Sequence, residues 1–449
     1  MLLDLCRAAS CFLLYEFHLA LENKGERVRK PIIIIGAGLA GLAAAYKLKE
    51  KAEVFEASDA VGGVARTYKC KGFSYDLGPH VLYFRNERIR RWVERILGSK
   101  WEKQVRRARI AINGERVDYP IQEGFLQSEK LTRRFLDDLL KAPQTRKGNF
   151  KEMAANLYGS ALAEDFFMPY NDKLWCHPLD EMDKEWAQRF LPSFPRDDLK
   201  RLAKGETLPR GPNAYFFYPE KSGIGTLSQA LWEELSNRIH LSTKVTSINT
   251  EEGWVETNSG TRHHYSYLIS TIPLPEILRA SVDLPESDRN RAKELRSVGM
   301  VFVHLSLAHP LSDDSHWVYF SDPEICFHRI SIPRNYSDGM TPPDRGSIVA
   351  EVSFPSDKNP DIQTIVEKVK MDTVKSGMVG GLEDIISHDA QVLRHAYVFP
   401  TMKGEKAREE LRWILKHRDI LLAGRYGVWE YANMERALEQ GIKAAEALC

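Results

Sequence analysis

The stretch PIIIIGAGLAGLAAAYKL, residues 31–48, limits the possible folds of this chain more than any other segment. Its β-branched run predicts a strand buried on both faces, and the alanine-rich segment after the glycines predicts a helix. Between them lies G-x-G-x-x-G: Gly36 permits the tight turn, Gly38 lets the backbone approach a pyrophosphate, and Gly41 lets the helix lie close to the strand. A dinucleotide would then place its phosphates at the helix N-terminus. The predicted contacts are Gly36, Gly38, Leu39, Ala40 and Gly41.

An acidic residue supports the same prediction. The second predicted strand, AEVFEA, ends near Glu56, about twenty positions after Gly36. At that spacing a carboxylate can accept hydrogen bonds from the ribose hydroxyls of a dinucleotide. A glycine-rich turn that only packs tightly remains the alternative.

Composition limits the other possibilities. A chain of 449 residues is too long for one ordinary core, so two or more domains are expected. A formal net charge of +1 gives no electrostatic reason to expect binding to nucleic acid or to an anionic membrane. Six scattered cysteines without a C-x-x-C pair favour reduced thiols over a disulfide framework or a zinc site, so no metal is predicted.

Residues 1–30 resemble a signal peptide only superficially. Asp4, Arg7 and Glu16 interrupt the apolar stretch, which is too broken to span a bilayer and has no small-residue cleavage site. Its apolar residues recur at near-helical spacing, which predicts an additional amphipathic helix or an extension without a role. No other segment predicts a membrane span, so we expect a cytoplasmic protein.

Two segments after the ribose acid indicate which dinucleotide binds. ASDAVGGVARTY (57–68) resembles the G-G-x-x-R-T segment that FAD-binding amine oxidases and their relatives place against the pyrophosphate. GFSYDLGPHVLY (72–83) resembles the D-x-G-x-H loop that runs beside the isoalloxazine in the same superfamily. The resemblance implies FAD as the cofactor. Implied contacts are Gly63, Arg66, Gly78 and His80, although a hydrogen-bonded loop histidine is an equally good interpretation of His80 on its own.

The rest of the cofactor domain lies far downstream. Helix and strand patterns follow residue 220 and end in Ser270-Thr271-Ile272-Pro273, and DILLAG predicts another buried strand near residue 420. A helix from near Asn433 would aim its free N–H groups at the flavin pyrimidine and favour the anionic reduced form. The superfamily resemblance adds Val245 near the adenine and Gly424, Arg425, Asn433 and Met434 near the flavin.

Two inserted regions separate these pieces. The charged region 87–205 shows a helical period, whereas 295–400 contains short β-rich runs between Pro, Asn, Asp and Gly turns. The expected fold is α/β, a Rossmann-like FAD-binding domain with an inserted helical domain and an inserted antiparallel β-sheet domain. The expected boundaries are 31–86, 220–294 and 401–449 for the FAD domain, 87–205 for the mainly helical insert, 206–219 and 295–400 for the sheet domain, and 1–30 for the extension.

Motifs in the inserts narrow the resemblance. AEDFFMPYNDKLW (163–175) and RGPNAYFFYP (210–219) resemble the P-Y-N-x-K-x-W and G-P-N-A-x-F-x-x-P motifs of UDP-galactopyranose mutases, especially eukaryotic-type ones. HWVYFSDPEICFHRISIPRNYS (316–337) resembles their W-x-Y-F-P-E, F-Y-R and N-Y-S block. GRYGVWEY (424–431) resembles their G-R-F-G-x-W-x-Y, and VDYPIQ (117–122) resembles their uridine-pocket segment. The matches keep their order along nearly the whole chain.

Carried over position by position, the mutase resemblance implies a role for each residue. Arg189, on a mobile loop, and Arg329, on the sheet, would bind the diphosphate with Tyr319 and Tyr431, because guanidinium groups match phosphate oxygens. Arg425 would lie near the flavin and the sugar. Tyr119 and Gln122 would hold uracil. The sugar site and flavin face would include His80, Asn171, Trp175, Asn213 and Trp317. Without the resemblance, an exposed arginine or a core aromatic explains each of them as well.

The implied activity is interconversion of UDP-galactopyranose and UDP-galactofuranose without net redox. In that family the reduced flavin N5 attacks the anomeric carbon, UDP leaves, and a flavin–sugar adduct allows the ring to open and reclose. This activity implies an external reductant for FAD, and it is compatible with a homo-oligomer. The alternatives are an FAD-dependent oxidoreductase of the amine oxidase or protoporphyrinogen oxidase type, and a flavin-binding protein without catalysis.

Two departures from the mutase motifs bear on the substrate. Phe399-Pro400 stands where the family has Tyr-Pro with a phosphate-facing tyrosine, so one hydroxyl donor is expected to be missing. NMERALEQG (433–441) replaces the eukaryotic N-Q-D-H-S-F beside the flavin. These differences leave room for another nucleotide or another sugar.

Overall fold

The computed structural model of the chain describes residues 30–98, 100–191, 195–206 and 214–449. Residues 1–29 of the predicted N-terminal extension therefore lie outside the described residues. Within the described ranges, no helix is long and apolar enough to cross a membrane.

A five-stranded parallel sheet forms the base of the predicted cofactor domain. Its central strand, Ile32–Ile35, is buried along its whole length, as its run of four isoleucines predicts. The strand order is Ile420–Leu422, Tyr267–Ser270, Ile32–Ile35, Ala52–Phe55 and Ile239–His240. Strands from distant parts of the chain thus lie side by side, which confirms the discontinuous Rossmann-like sheet.

Helices cover this sheet and bring the C-terminal segment to the glycine turn. The helix Leu39–Leu48 packs against Met434–Glu446 and Gly225–Leu235. A Cβ atom on Gly441 would lie 2.1 Å from the Ala40 carbonyl oxygen, and one on Gly424 would lie 2.8 Å from the Ala40 Cβ. Two glycines of the C-terminal segment therefore allow it to pack directly on the first helix.

A second, seven-stranded sheet forms the predicted sheet domain. Its order is Ile385–Val398, Ser297–Leu307, Gly346–Pro355, Arg329–Ser331, Trp317–Phe320, Ala108–Ile112 and Glu115–Asp118. The strands from 295–400 pair with one another antiparallel, as predicted, whereas Trp317–Phe320 also pairs with Ala108–Ile112 in parallel. The last two strands at one edge, Ala108–Ile112 and Glu115–Asp118, come from 87–205, the region assigned to the helical insert. ARIAI (108–112) alternates buried and half-buried residues, a period of two that the charged composition of the region conceals.

The other elements complete the inserts and the cofactor domain. The small sheets consist of Thr67–Cys70 with Phe73–Asp76, Trp101–Val105 with Tyr215–Pro219, and Val245–Asn249 with Trp254–Thr257 and Arg262–His264. The helices of the insert are Glu87–Leu97, Ile121–Gly124, Glu129–Lys141, Phe150–Tyr158, Ser160–Leu162, the π-helix Ala163–Phe167, Met168–Trp175, Lys184–Phe190 and Arg196–Ala203. Elsewhere the helices are Leu274–Ala280, Glu286–Asn290, Ile362–Lys375, Met402–Lys416 and Gly424–Gly427.

We expect Gly41→Ala to lower the free energy of unfolding by about 1–3 kcal/mol, because the helix must move away from the strand. An added Cβ would lie 1.9 Å from the Gly36 carbonyl oxygen. Gly38→Ala is the matched control: its Cβ would meet no atom within 4 Å, and its effect should stay within about 1 kcal/mol. Urea denaturation of cofactor-free protein measures both. Equal losses in the two variants would contradict the close packing.

Candidate active site

The glycine turn has the geometry of a phosphate cradle. Gly36 has a φ of +99°, and its N–H donates to the Phe55 carbonyl oxygen at 2.8 Å. A Cβ on Gly38 would project into open space, and no side chain caps the N-terminus of the helix Leu39–Leu48. The first N–H groups of a helix need an external acceptor. The turn therefore fits the pyrophosphate of a dinucleotide.

The predicted ribose and pyrophosphate residues surround this turn. The Glu56 carboxylate accepts the Ala37 N–H at 2.7 Å and the Ser58 hydroxyl at 2.7 Å, and a carboxylate has lone pairs for further donors such as ribose hydroxyls. A Cβ on Gly63 would lie 3.3 Å from the Gly38 Cα, so the two glycine segments meet. Arg66 pairs with Asp59 at 3.2 Å. Both segments fit one end of a dinucleotide.

The downstream segments close around the same turn. The Thr271 hydroxyl donates to the Ile35 carbonyl oxygen at 2.9 Å, which places the S-T-x-P turn beside Gly36. Val245 begins its strand in the core of the domain. Asn433 caps the helix Met434–Glu446 by accepting the Arg436 N–H at 2.9 Å.

Glu435 explains part of the departure at NMERALEQG. Its buried carboxylate accepts the main-chain N–H groups of Arg85 and Asn86 at 2.8 and 2.7 Å. These residues end the segment that contains His80, so the first turn of the C-terminal helix is tied to that segment. Glu435 therefore has a structural role in the segment 433–441, which replaces the family motif.

Asp76 anchors the start of the D-x-G-x-H loop. Its buried carboxylate accepts the Thr67 hydroxyl at 2.6 Å, the Ile224 N–H at 3.1 Å and the Tyr218 hydroxyl. Burial raises the pKa of Asp76 to about 6 despite these donors. The loop that leads to Gly78 and His80 thus leaves from a fixed point.

His80 carries an unsatisfied polar atom in this loop. Among the described residues, its buried Nδ1 has no hydrogen-bond partner. Burial, followed by the positive charges of Arg425 and Arg329, lowers the pKa of His80 to about 3. The imidazole is therefore neutral at physiological pH and has a ring nitrogen available for a cofactor or substrate atom.

Arg329 is held by a buried carboxylate on the neighbouring strand. Its Nε and Nη2 donate to the two carboxylate oxygens of Glu351, each at 2.7 Å, and Nη2 lies 3.2 Å from the Tyr397 hydroxyl. The Glu351 side chain is 1% exposed. A Cβ on Gly78 would lie 2.8 Å from Glu351 Oε1, so this ion pair abuts the loop of His80.

Arg425 lies beside two stacked tyrosines. Its Nε and Nη2 donate to the Ala432 carbonyl oxygen at 2.8 and 2.6 Å, and Nη1 donates to that of Ala396 at 3.2 Å. The rings of Tyr397 and Tyr431 have centroids 5.9 Å apart, and the guanidinium lies 5.5 and 5.3 Å from them. In the described part of the chain, no carboxylate forms an ion pair with Arg425. Within the described ranges, its guanidinium is therefore stabilised by main-chain carbonyls and tyrosine rings.

A second group of tyrosines lies beside Arg329. The Tyr319 ring is 5.6 Å from the rings of both Tyr119 and Tyr170, and the Arg329 guanidinium lies 5.9 Å from the Tyr319 ring. Tyr119 is 39% exposed, so it lies at the open side of the group. The predicted diphosphate residues Arg329, Tyr319 and Tyr431 are thus brought together with Arg425.

Two other predicted substrate residues lie on the helix Met168–Trp175. Asn171 Oδ1 accepts the Trp175 Nε1–H at 3.1 Å, and both residues are buried. Trp175 packs edge-on against Tyr397, with ring centroids 6.1 Å apart. Both residues thus adjoin the tyrosine group, and their roles at the sugar stay a prediction.

Gln122 and Trp317 are also buried, Trp317 in a stack with Tyr336 at 6.3 Å. The side chain of Arg189 and the whole of Asn213 lie outside the described residues.

Tyr397 supplies a phenolic hydroxyl close to the position where a tyrosine was expected to be missing. It lies in the strand Ile385–Val398, and its hydroxyl is 3.2 Å from Arg329 Nη2. Phe399 follows the end of this strand and is buried against Trp175. A hydroxyl is therefore present beside Arg329, and the loss of a phosphate contact at Phe399 stays a prediction.

Two further residues were not predicted. Tyr170 was part of a motif but was given no role. Arg106 lies 4.7 Å above the Tyr119 ring, and the described residues include no carboxylate in an ion pair with it. Before the fold is known, nothing distinguishes Arg106 from its neighbours Arg107 and Arg109, which pair with surface aspartates.

In the described part of the chain, no group of three His, Cys, Asp or Glu residues is arranged to hold a metal ion.

Comparison with protein families identifies the fold. A model described as flavin containing amine oxidoreductase matches residues 39–449. The chain belongs to this flavin-containing family. It is an enzyme family whose cofactor is a flavin, and the geometry of the cradle around Gly38 is compatible with the phosphates of such a cofactor.

Individual members show different degrees of similarity. A structure of reduced UDP-galactopyranose mutase is 25% identical, with a TM-score of 0.85 over 93% of both chains. L-amino acid oxidase Cdc18 of Crotalus durissus cumanensis is 38% identical over 87 residues, 18% of either protein. Coproporphyrinogen III oxidase of Staphylococcus aureus is 26% identical over 264 residues, 50% of this chain and 56% of that enzyme. The chain thus spans only part of the curated relatives that it matches.

We expect Glu351→Leu to lower the free energy of unfolding by about 3–5 kcal/mol, because it leaves the Arg329 guanidinium buried without a counter-charge. Adding Arg329→Met should recover part of the loss, since both charges are then gone. Glu181→Leu, which breaks the exposed pair with Arg296, is the control and should cost less than about 1 kcal/mol. Urea denaturation of all variants measures these changes. No recovery in the double variant would contradict a charge-based effect.

Proposed function

We propose that the protein is an FAD-dependent mutase that interconverts UDP-galactopyranose and UDP-galactofuranose without net redox. The observation that carries this proposal is the convergence of Arg329 and Arg425 with Tyr319, Tyr397 and Tyr431 beside the neutral His80. Guanidinium groups and phenolic hydroxyls are suited to the oxygens of a diphosphate. The fold shared with UDP-galactopyranose mutase supports the same substrate class.

The charges of the site favour an anionic substrate. Glu351 neutralises Arg329, whereas the described residues that contact the Arg425 guanidinium offer main-chain carbonyls and tyrosine rings and no carboxylate. Low-polarity surroundings strengthen the attraction between such a cation and a phosphate. Arg106, above Tyr119, adds a second cation without an ion-pair partner in the described ranges. The site can therefore hold a nucleoside diphosphate, both as part of the substrate and as the leaving group.

The remaining groups orient the sugar and the cofactor. When bound and reduced, FAD supplies a nucleophilic nitrogen for the anomeric carbon, so the protein needs no nucleophile of its own. His80, kept neutral by burial, can accept or donate one hydrogen bond between flavin and sugar. Tyr119 is positioned to contact the uracil ring at the open side of the site. Asn433 and Met434 begin the helix that would face the flavin. The cytoplasmic location of the protein remains a prediction.

A second candidate is an oxidoreductase that acts on an anionic substrate. The match to coproporphyrinogen III oxidase covers half of this chain, and the carboxylates of such a substrate would also be attracted by Arg425 and Arg106. The two candidates differ in the fate of the electrons: a mutase ends with its flavin reduced, whereas an oxidase must pass electrons to an acceptor.

An anaerobic assay separates the candidates. Purified protein reduced with dithionite should convert UDP-galactofuranose to UDP-galactopyranose, and oxidised protein should not. Chromatography of the nucleotide sugars measures the conversion. If reduced protein leaves UDP-galactofuranose unchanged while oxygen-dependent oxidation of coproporphyrinogen proceeds, the oxidoreductase replaces the mutase.

For the mutase reaction, we expect Tyr397→Phe to raise KM about tenfold or more, since it removes a hydroxyl beside the diphosphate-binding Arg329. Flavin content and thermal stability should stay near wild type, because the ring and its stacking remain. Tyr46→Phe, at a ring packed on Trp92 in the cofactor domain, is the control. Initial rates over a range of substrate concentrations measure both. An unchanged KM in Tyr397→Phe would contradict the assignment.

A further inference from the structure

Lys173 has a bonding pattern that the proposed function does not use. Its Nζ lies 2.8 Å from the Asp322 carbonyl oxygen and 3.2 Å from those of Ile325 and Phe327. An ammonium group has three N–H donors and no acceptor. The three main-chain carbonyls therefore match the full donor set of one side chain, on the helix Met168–Trp175.

These carbonyls belong to one loop, residues 321–328. The loop connects the strands Trp317–Phe320 and Arg329–Ser331, in which Tyr319 is paired directly with Arg329. Successive side chains on a strand point to opposite faces, so a slip of either strand by one residue would turn its side chain away from the site. The conformation of loop 321–328 thus contributes to the register in which Tyr319 and Arg329 point to the same face.

The helix that carries Lys173 also faces the site. Tyr170, one turn earlier, has its ring 5.6 Å from Tyr319 and 5.9 Å from His328. Trp175, on the same helix, packs against Tyr397. One helix therefore contacts the tyrosines with its rings and the connecting loop with its ammonium group.

We propose that Lys173 is a positioning residue: by holding the three carbonyls of loop 321–328, its ammonium group keeps Tyr319 and Arg329 oriented toward the diphosphate. The role of these two side chains rests on the proposed function. The effect of Lys173 on the loop itself does not depend on it.

The ionisation of Lys173 gives a way to separate positioning from simple packing. Burial lowers the pKa of Lys173 to about 8. The groups that face it are Asp322 and Cys326 in loop 321–328, Asp372 on Ile362–Lys375, and His328. A neutral amine has only two N–H donors for three carbonyls, so the loop should loosen above about pH 8. An arginine stays charged throughout this range.

The first experiment compares wild type, Lys173→Met and Lys173→Arg as holoenzymes. We expect Lys173→Met to raise KM for UDP-galactopyranose about tenfold, with kcat changed less than about threefold and flavin content unchanged. In wild type, KM should rise between about pH 7 and about pH 10, whereas Lys173→Arg should show a flatter profile. Lys130→Met is the matched control. Like Lys173, Lys130 donates to a loop carbonyl, but its one such contact is with Asn113, at 2.7 Å.

The second experiment measures hydrogen exchange of the peptide amides in 317–331 by mass spectrometry. Exchange there should be faster in Lys173→Met than in Lys130→Met, and faster in wild type than in Lys173→Arg above about pH 8. If Lys173→Met does not fold, the comparison of wild type with Lys173→Arg carries the test. Identical exchange and identical pH profiles would overturn the inference. Wild type without mutase activity would reject the proposed function, while a changed exchange pattern would still support the role of Lys173 in the loop.

Discussion

The buried Glu351 carboxylate is the contact on which the arrangement of the site depends. It binds the Arg329 guanidinium through both oxygens and lies against Gly78, in the loop that leads from the cofactor domain to His80. A side chain at position 78 would occupy the space of the carboxylate. The cofactor domain and the sheet domain therefore meet at an ion pair shielded from water, where a charge without its partner is costly. This explains how an arginine can be buried beside the flavin loop.

The same contact sets the electrostatics of the cleft. Because Glu351 neutralises Arg329, the charge that remains beside His80 is that of Arg425, which is surrounded by carbonyl oxygens and tyrosine rings. His80 stays neutral in this environment, since a proton on its ring would add a positive charge to a buried, already cationic region. Among the described residues, the carboxylate of Glu351 is bound to Arg329, so the charge left in this region is positive and favours anions.

Much of the fold follows from local patterns. The isoleucine run, the spacing of Gly36, Gly38 and Gly41, and the distance to Glu56 predict the strand, turn, helix and acid that the structure contains, because these features depend on neighbouring residues. The two strands at 108–118 were missed because their alternation is short and lies in a charged region. Tyr397 was missed because the motif comparison concerned Phe399, whereas the contact of Tyr397 with Arg329 joins segments that are distant in the chain. The expected boundaries of the domains stay a prediction.

By itself, the sequence determined the nucleotide-binding turn and the family resemblance, since these rest on residue types at fixed spacing. Only the tertiary structure decided which arginines share a cleft, which tyrosine faces Arg329, and that Asn171 and Trp175 are bonded to each other and buried against Tyr397. The physical reason is that burial and charge pairing are properties of contacts between distant segments. Glu351 and Arg329 are far enough apart in the chain that no local pattern relates them, and a single ion pair between adjacent strands fixes both.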